Sequence, residues 1–277
     1  TLIKLFESQN MAFPFKDNSI DILTSGYDFA ASLLRDFARA KHHIHLQTYI
    51  ICDDALGYLI ADALIDKAKE GVEVRFIYDD VGCWNVPDAF FNRMREAGID
   101  VRAFIPVHFP AFTSKVNYRN HRKICVIDGE IGYIGGMNIA KRYVKGNNGM
   151  AWRDTHLRVM GGAVYGLQRA FLMDWYFIVR SIINGHAYYP ASKLTEPNDC
   201  IMQIVTDGPV SDWPEMMQGY VRILLEAKRY VYIETPYFLP TEPVMFAMRV
   251  AALAGVDVQL MIPLHSDARF VEWASRS

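Results

Sequence analysis

Apolar positions recur along this chain with two alternating periods. In Tyr27–Lys41, Leu33, Leu34, Phe37 and Ala38 fall at helical spacing, and Gly57–Lys69, Pro87–Ala97 and Gly162–Ile183 read as further helices. Gly71 and Gly98 stand where two of these helices must stop. Between the helices lie short apolar runs of strand length: Ile20–Ser25, His43–Ile51, Val72–Tyr78, Val101–Ile105, Ile124–Ile127, Ile131–Ile134 and Trp152–Met160. Asp128-Gly129 separates two of these runs and predicts a hairpin turn. Strands alternating with helices predict a layered α/β fold.

The pattern also repeats. Ile20-Asp-Ile-Leu-Thr-Ser-Gly26 matches Met202-Gln-Ile-Val-Thr-Asp-Gly208 at an offset of 182 residues. Ala40-Lys41 with Ile44–Thr48 matches Ala227-Lys228 with Val231–Thr235 at 187, and Gly71–Val74 matches Gly255–Val258 at 184. Three matches in the same order predict a duplicated α/β unit. A first domain is expected over residues 1–185, a linker over 186–198 where periodicity fades, and the start of a second domain over 199–277.

Composition narrows the class. With 51% hydrophobic and 22% charged residues the chain is globular, and 29 basic against 31 acidic residues give a net charge of −2, with no global pull toward nucleic acid. Charge-free runs reach only 12 residues and contain proline, too short to cross a bilayer. The four cysteines form no CxxC pair, which excludes a zinc ribbon and suggests reduced thiols. The charge is uneven, however. Between Lys115 and Arg153 eight basic residues face two acids, a local +6, so the remainder carries −8. A basic island in an acidic chain marks a localised anion site.

Within that island lies His121-Arg-Lys123, followed by Asp128 and by Gly135-Gly136-Met-Asn138. Two residues apart on extended backbone, His121 and Lys123 share one face. An ammonium there neutralises a phosphate while an imidazole attacks or moves a proton, and the ammonium also favours the neutral imidazole. Gly135 and Gly136 allow close approach of backbone to a ligand, and Asn138 opens a helix whose N–H groups attract anions. Asp128 belongs to a turn whatever else it does.

This segment resembles the HxKxxxxD motif of the phospholipase D superfamily with its trailing GGxN. Asn117–Lys123, Trp152–His156, Gln168–Trp175 and Tyr232–Phe238 further resemble bacterial cardiolipin synthases. The resemblance implies a phospholipase D-like α-β-α sandwich with a mixed sheet, duplicated, its second copy truncated. It implies two motifs joined in one site, a phosphohistidine intermediate, no cofactor and no metal. Carried over by motif, His121 is the nucleophile, Lys123 a phosphate clamp, Asp128 a support residue, Asn138 and Gly136 phosphate-side contacts, and Asp154 the acid that orients the histidine. The implied reaction joins two phosphatidylglycerols into cardiolipin with release of glycerol, at the cytoplasmic face of the bacterial membrane. The membrane surface would be reached through segments missing from this chain, and no nucleic acid partner is implied. A phospholipase D-type hydrolase or nuclease, and a non-catalytic headgroup binder, are the alternatives.

The chain departs from the pattern in carrying one HxKxxxxD. His186 and His265 are followed by the wrong residues, and the repeat places a second motif histidine near position 305. A fragment of a longer protein is therefore expected, with an apolar patch that encourages self-association. His42, His43 and His45 look like a metal cluster, but strand alternation should turn His42 away from the other two, and a structural role is expected. Asp79-Asp80 could bind a cation at the end of its strand, although solvated acids are the expected reading. Phe104–Phe112 is an aromatic loop expected to pack on the domain core, the alternative being that it faces lipid or lines an acyl groove, and Asp174 breaks the apolar helix that follows Trp152–Met160.

Overall fold

The computed structural model describes residues 1–106, 119–146, 152–195, 197–198, 200–208 and 214–264. The aromatic loop after Phe104 lies largely outside them, as does His265. The chain divides into two compact units, Pro14–Ile204, and Thr1–Phe13 with Val205–Ser277.

The larger unit is built on one eight-stranded mixed sheet. Its strands are β1 (Phe15–Leu23), β2 (His43–Thr48), β3 (Glu73–Asp79), β4 (Asp100–Phe104), β5 (Ile124–Ile127), β6 (Ile131–Gly135), β7 (His156–Met160) and β8 (Cys200–Met202). They lie in the order β4-β3-β2-β5-β6-β7-β1-β8. β4, β3 and β2 run parallel, and every pairing from β2 across to β8 is antiparallel. Helices α2 (Gly26–Arg39), α3 (Ala55–Lys69) and α4 (Asp88–Glu96) pack on one face, in a core that includes Leu33, Phe37, Ile44, Leu46, Ile60 and Phe76. After the short α5 (Arg142–Lys145), α6 (Ala163–Val179) covers the other face through Val164, Leu167 and Ala170 against Ile124, Val126 and Val159. This is the expected α-β-α sandwich.

Strand β2 is buried at all six positions, as a central strand covered on both faces must be. Ile44 and Leu46 enter the α2–α3 core, whereas His43, His45 and Gln47 point beneath α6. Gln168 of α6 bridges the two histidines, with Oε1 3.3 Å from His43 Nε2 and Nε2 2.7 Å from His45 Nδ1. His42 does not turn away from them. It precedes the strand, escapes the alternation, and brings its Nδ1 to 2.8 Å from His43 Nδ1. Among the described residues no group of three or more metal-ligating side chains is arranged to hold an ion.

Two strands differ from the periodicity. β1 begins at Phe15, five residues early, because the polar run Lys16–Ser19 still pairs. Its buried Asn18 donates to the carbonyls of Phe15 and Cys200, both at 2.8 Å, and accepts from Ala163 N at 2.8 Å. β7 begins only at His156, four residues later than the periodicity suggests.

The smaller unit contains α1 (Leu2–Asn10), α7 (Glu215–Glu226), β9 (Tyr230–Glu234), α8 (Glu242–Leu253) and β10 (Asp257–Met261). The first of these helices was not evident in the pattern; its Phe6 packs over Gly219, where a Cβ would lie 2.4 Å from the ring. The duplication is visible in the pairing. β9 and β10 run parallel with Tyr230 opposite Asp257, as β2 and β3 run parallel with His43 opposite Glu73. These positions differ by the sequence offsets of 187 and 184. The flanking bonds repeat too: Glu73 N to His42 O and Asp257 N to Arg229 O are both 3.0 Å. β8, in contrast, joins the first sheet beside β1. No helix among the described residues is long and apolar enough to cross a membrane.

The β5–β6 hairpin is closed by Asp128 and Gly129, both at positive φ (54° and 68°) as its two-residue turn requires. The Asp128 carboxylate does more than turn the chain. It accepts three successive backbone N–H groups, from Lys41 at 2.9 Å, His42 at 2.8 Å and His43 at 2.9 Å, and so fixes where β2 enters the sheet. Asp128→Ala is expected to destabilise the protein by about 2 kcal/mol, since hydrogen bonds to a charged acceptor are lost together. At this size that lowers the thermal midpoint by roughly 4–8 °C, to be read by calorimetry.

Candidate active site

The site lies where the parallel strands β2 and β3 end and β5 begins. β5 starts at Ile124, so His121 and Lys123 sit on its extended lead-in rather than within the ladder. Their side chains meet as the spacing predicts. Lys123 Nζ is 3.0 Å from His121 Nδ1 and donates to the His121 carbonyl at 2.7 Å. The Tyr49 ring, just beyond β2, packs against His121 with centroids 4.4 Å apart and lies under Lys123 Nζ at 5.4 Å.

Burial decides the electrostatics. Lys123 is only 5% exposed. Its pKa falls to about 8 because burial penalises the ammonium, opposed by the Asp154 carboxylate. That of His121 falls to about 4 through burial and then the charge of Lys123. An ammonium can only donate, so Nδ1 of His121 is the acceptor and the neutral ring carries its proton on Nε2.

The two glycines sit where the end of β6 meets the segment that leads into β7. A Cβ on Gly135 would lie 2.5 Å from His156 Cα, and one on Gly136 would lie 2.1 Å from Asp154 Oδ1. Neither glycine has a positive φ. They make room for Asp154, just before β7, and for His156, its first residue, and Gly136 N donates to Thr155 O at 2.9 Å. Asp154 Oδ1 accepts from Thr155 N at 2.7 Å. Arg158 Nε, farther along β7, pairs with the buried Asp36 at 2.6 Å.

Asn138 is buried and engaged inside the protein at both ends of its amide. Oδ1 accepts from Ile50 N at 3.0 Å, and Nδ2 donates to Tyr143 Oη at 2.8 Å. It ties the chain after β6 to the chain after β2, next to Tyr49. Asp128 stands at the opposite end of β5 from Lys123, about 16 Å away for five residue steps of strand. It supports the sheet and does not line the site.

Four residues of the site were not singled out in these roles from sequence. Tyr49 gives no signal, lying in a run of apolar residues. His156 is 2% exposed, its ring 4.4 Å from that of Phe29; burial and the Lys123 charge lower its pKa to about 3. Asp79 and Asp174, the strand-end acid and the acid inside an apolar helix, both turn inward onto the segment before His121. Asp79, expected to be solvated, is fully buried. A buried acid has to be paired, and that was the available clue.

The geometry agrees with comparisons to known proteins. Residues 33–175 match the family described as cardiolipin synthase, PLD-like domain. A cardiolipin synthase of Oceanobacillus iheyensis is 42% identical over 278 residues, covering 100% of this chain and 57% of that protein. The major cardiolipin synthase ClsA of Bacillus subtilis is 42% identical over 283 residues, covering 100% and 58%. The chain thus spans little more than half the length of these curated relatives. Among solved structures, the phosphatidylserine synthase of Haemophilus influenzae superposes with a TM-score of 0.65 at 15% identity, over 94% of this chain and 65% of that one, a likeness of fold. With the family matched across the strands and helices that carry His121, Lys123, Gly135, Gly136, Asn138 and Asp154, the chain belongs to the phospholipase D-like domains of the cardiolipin synthases.

Proposed function

We propose that this chain supplies the nucleophilic half of a phosphatidyltransferase that makes cardiolipin and glycerol from two phosphatidylglycerol molecules. The observation that carries the reading is the desolvated contact of His121 with Lys123, in a chain 42% identical to cardiolipin synthases. The enzyme works at the bacterial cytoplasmic membrane, on its cytoplasmic side, and needs neither cofactor nor metal.

The chemistry follows from the pair. A phosphodiester oxygen draws Lys123 away from His121 Nδ1 and is neutralised by it. Freed of that donor, the ring can carry its proton on Nδ1 and present Nε2 to phosphorus. Attack forms a phosphohistidine and breaks the bond to the glycerol headgroup, which leaves as an alcohol once protonated. The hydroxyl of a second phosphatidylglycerol then attacks phosphorus and regenerates His121. Asp154 holds the local potential that keeps Lys123 charged, and Asn138 fixes the loop that carries Tyr49. Two-motif relatives divide nucleophile and acid between two histidines. The unit Pro14–Ile204 carries the nucleophile, and Val205–Ser277, with Thr1–Phe13, belongs to the beginning of the half with the acid.

In a longer protein that holds both motifs, His121→Ala should abolish transfer. Lys123→Ala should slow it by about 10²–10³-fold, as for other lost anion-stabilising donors, and chelators should change nothing. Glycerol release from phosphatidylglycerol micelles measures all three; full activity of His121→Ala would overturn the assignment.

The pH profile follows from the two shifts. His121 is neutral above about 4, so its nucleophilic form is present through the neutral range. Lys123 loses its charge as pH rises through about 8, so kcat/KM should fall tenfold per unit above that pH. A flat profile to pH 10 would remove Lys123 from the charge-stabilising role.

Residues 1–277 alone should not turn over lipid, because a general acid contributes about 10²–10⁴-fold and the second lysine would be lost with it. Turnover proportional to the square of protein concentration would instead reveal self-association that pairs two copies of His121.

A further inference from the structure

The segment before β5 has no ladder partner to fix it, yet its side chains are held in strict alternation. The holding groups are two buried carboxylates behind the site. Asp79, the last residue of β3, is completely buried. Its Oδ1 accepts from Val81 N at 3.0 Å and Gly82 N at 2.9 Å, its Oδ2 accepts from Asn120 N at 3.1 Å, and Arg119 Nη1 lies 3.7 Å from Oδ1. Asp174, in the fourth turn of α6, accepts from Gln47 Nε2 at 2.7 Å, Asn120 Nδ2 at 2.8 Å and Arg122 Nη1 at 2.6 Å. Asn120 Oδ1 in turn accepts from Arg122 N at 3.1 Å.

Residues 120 and 122 are thus pinned toward the α6 face of the sheet. Extended backbone alternates, so 121 and 123 must emerge on the other face, where Tyr49 and Asp154 stand. The register of Gln47 opposite Ile124 brings the end of β2 beside the lead-in, so the polar amide that reaches Asp174 is a sheet residue, not a loop residue. A slip of one residue would exchange the two sets and point His121 into the α6 core.

We propose that Asp79 and Asp174 are positioning residues, which aim His121 and Lys123 by anchoring Arg119, Asn120 and Arg122 from the far side of the sheet. This deepens the reading of His121 as the nucleophile and rests on it for its consequence in catalysis. The anchoring itself is a statement about geometry and can fail separately. Neither acid touches substrate. The effect passes through the backbone of a four-residue segment to the pair that does the chemistry.

The test uses residues 1–277 labelled at histidine with ¹³C, and reads the His121 ring signals by NMR, assigned with His121→Gln. The Tyr49 ring 4.4 Å away displaces those signals from their free-peptide positions, and that displacement reports the aim of His121 directly. Asn120→Ser and Arg122→Ala cut the anchor from the loop side, where loss of folding is least expected; Asp174→Asn and Asp79→Asn cut it from the core side. The displacement should fall by more than half in Arg122→Ala and Asp174→Asn, and the His121 titration midpoint should rise from about 4 toward 6.5 as the ring leaves its desolvated seat. Asp128→Ala, which loosens β2 from the other end of the sheet, is the control for lowered stability and should leave both readings unchanged. Unaltered His121 signals in Arg122→Ala and Asn120→Ser would overturn the proposal, whatever the core variants do. In the longer two-motif protein Asp174→Asn should lower kcat at least tenfold with KM changed less than twofold. If the signals move but His121→Ala remains active, the nucleophile assignment fails and the anchor stands.

Discussion

A polar group taken out of water must be paired, and β2 takes three of them out at once. His43, His45 and Gln47 occupy one face of a strand that is buried throughout. An aliphatic strand would ask nothing of the helix above it. This one requires α6 to supply Gln168 to the histidines and Asp174 to the glutamine, so the helix can dock in a single register. From Asp174 the chain of pairing continues to Asn120 and Arg122, and from there along the backbone to His121 and Lys123. The polar seam beneath α6 and the active site are one network, entered from opposite ends.

The charges at the site are tuned by the same burial. Lys123 would be an ordinary surface cation on a loop. On the lead-in to a central strand, with Tyr49 on one side and His156 below, its pKa of about 8 stands only a little above physiological pH. A desolvated ammonium binds a phosphate anion more strongly than a hydrated one, since the water that would compete is already gone. His121 is kept neutral by the same surroundings, which leaves it a lone pair. A hydrated pair would offer weaker anion binding and a histidine partly protonated near pH 6.5.

Much of the sheet was legible in the sequence, because its strands are short apolar runs bounded by glycine and aspartate. Ile124–Ile127 and Ile131–Gly135 fall within one residue of the periodicity, and the Asp128-Gly129 turn behaves as its chemistry dictates. The pair His121–Lys123 was legible for the same reason, two residues on extended backbone sharing a face. What could not be read was long-range. Lys16–Ser19 looks like a loop until Cys200 and Ala163 are brought to Asn18, and His42 looks isolated until the first residue of β2 is known. Asp79 and Asp174 look like a solvated strand end and a flaw in a helix, since nothing in either segment announces Arg119, Asn120 or Arg122. The sequence also hides that the glycine pair lies against Asp154 and His156, at the entry to the next strand.

That glycine pair has a consequence for how such a domain can be copied. Because Gly135 and Gly136 put no side chain between the end of β6 and the entry to β7, the depth of Asp154 and His156 follows the spacing of adjacent strands. Strand spacing is about 4.8 Å in any sheet. A duplicated segment therefore inherits a calibrated site along with its sequence, without the co-evolved packing that a side-chain spacer would demand. The ruler is the hydrogen bond between strands, and it copies without error.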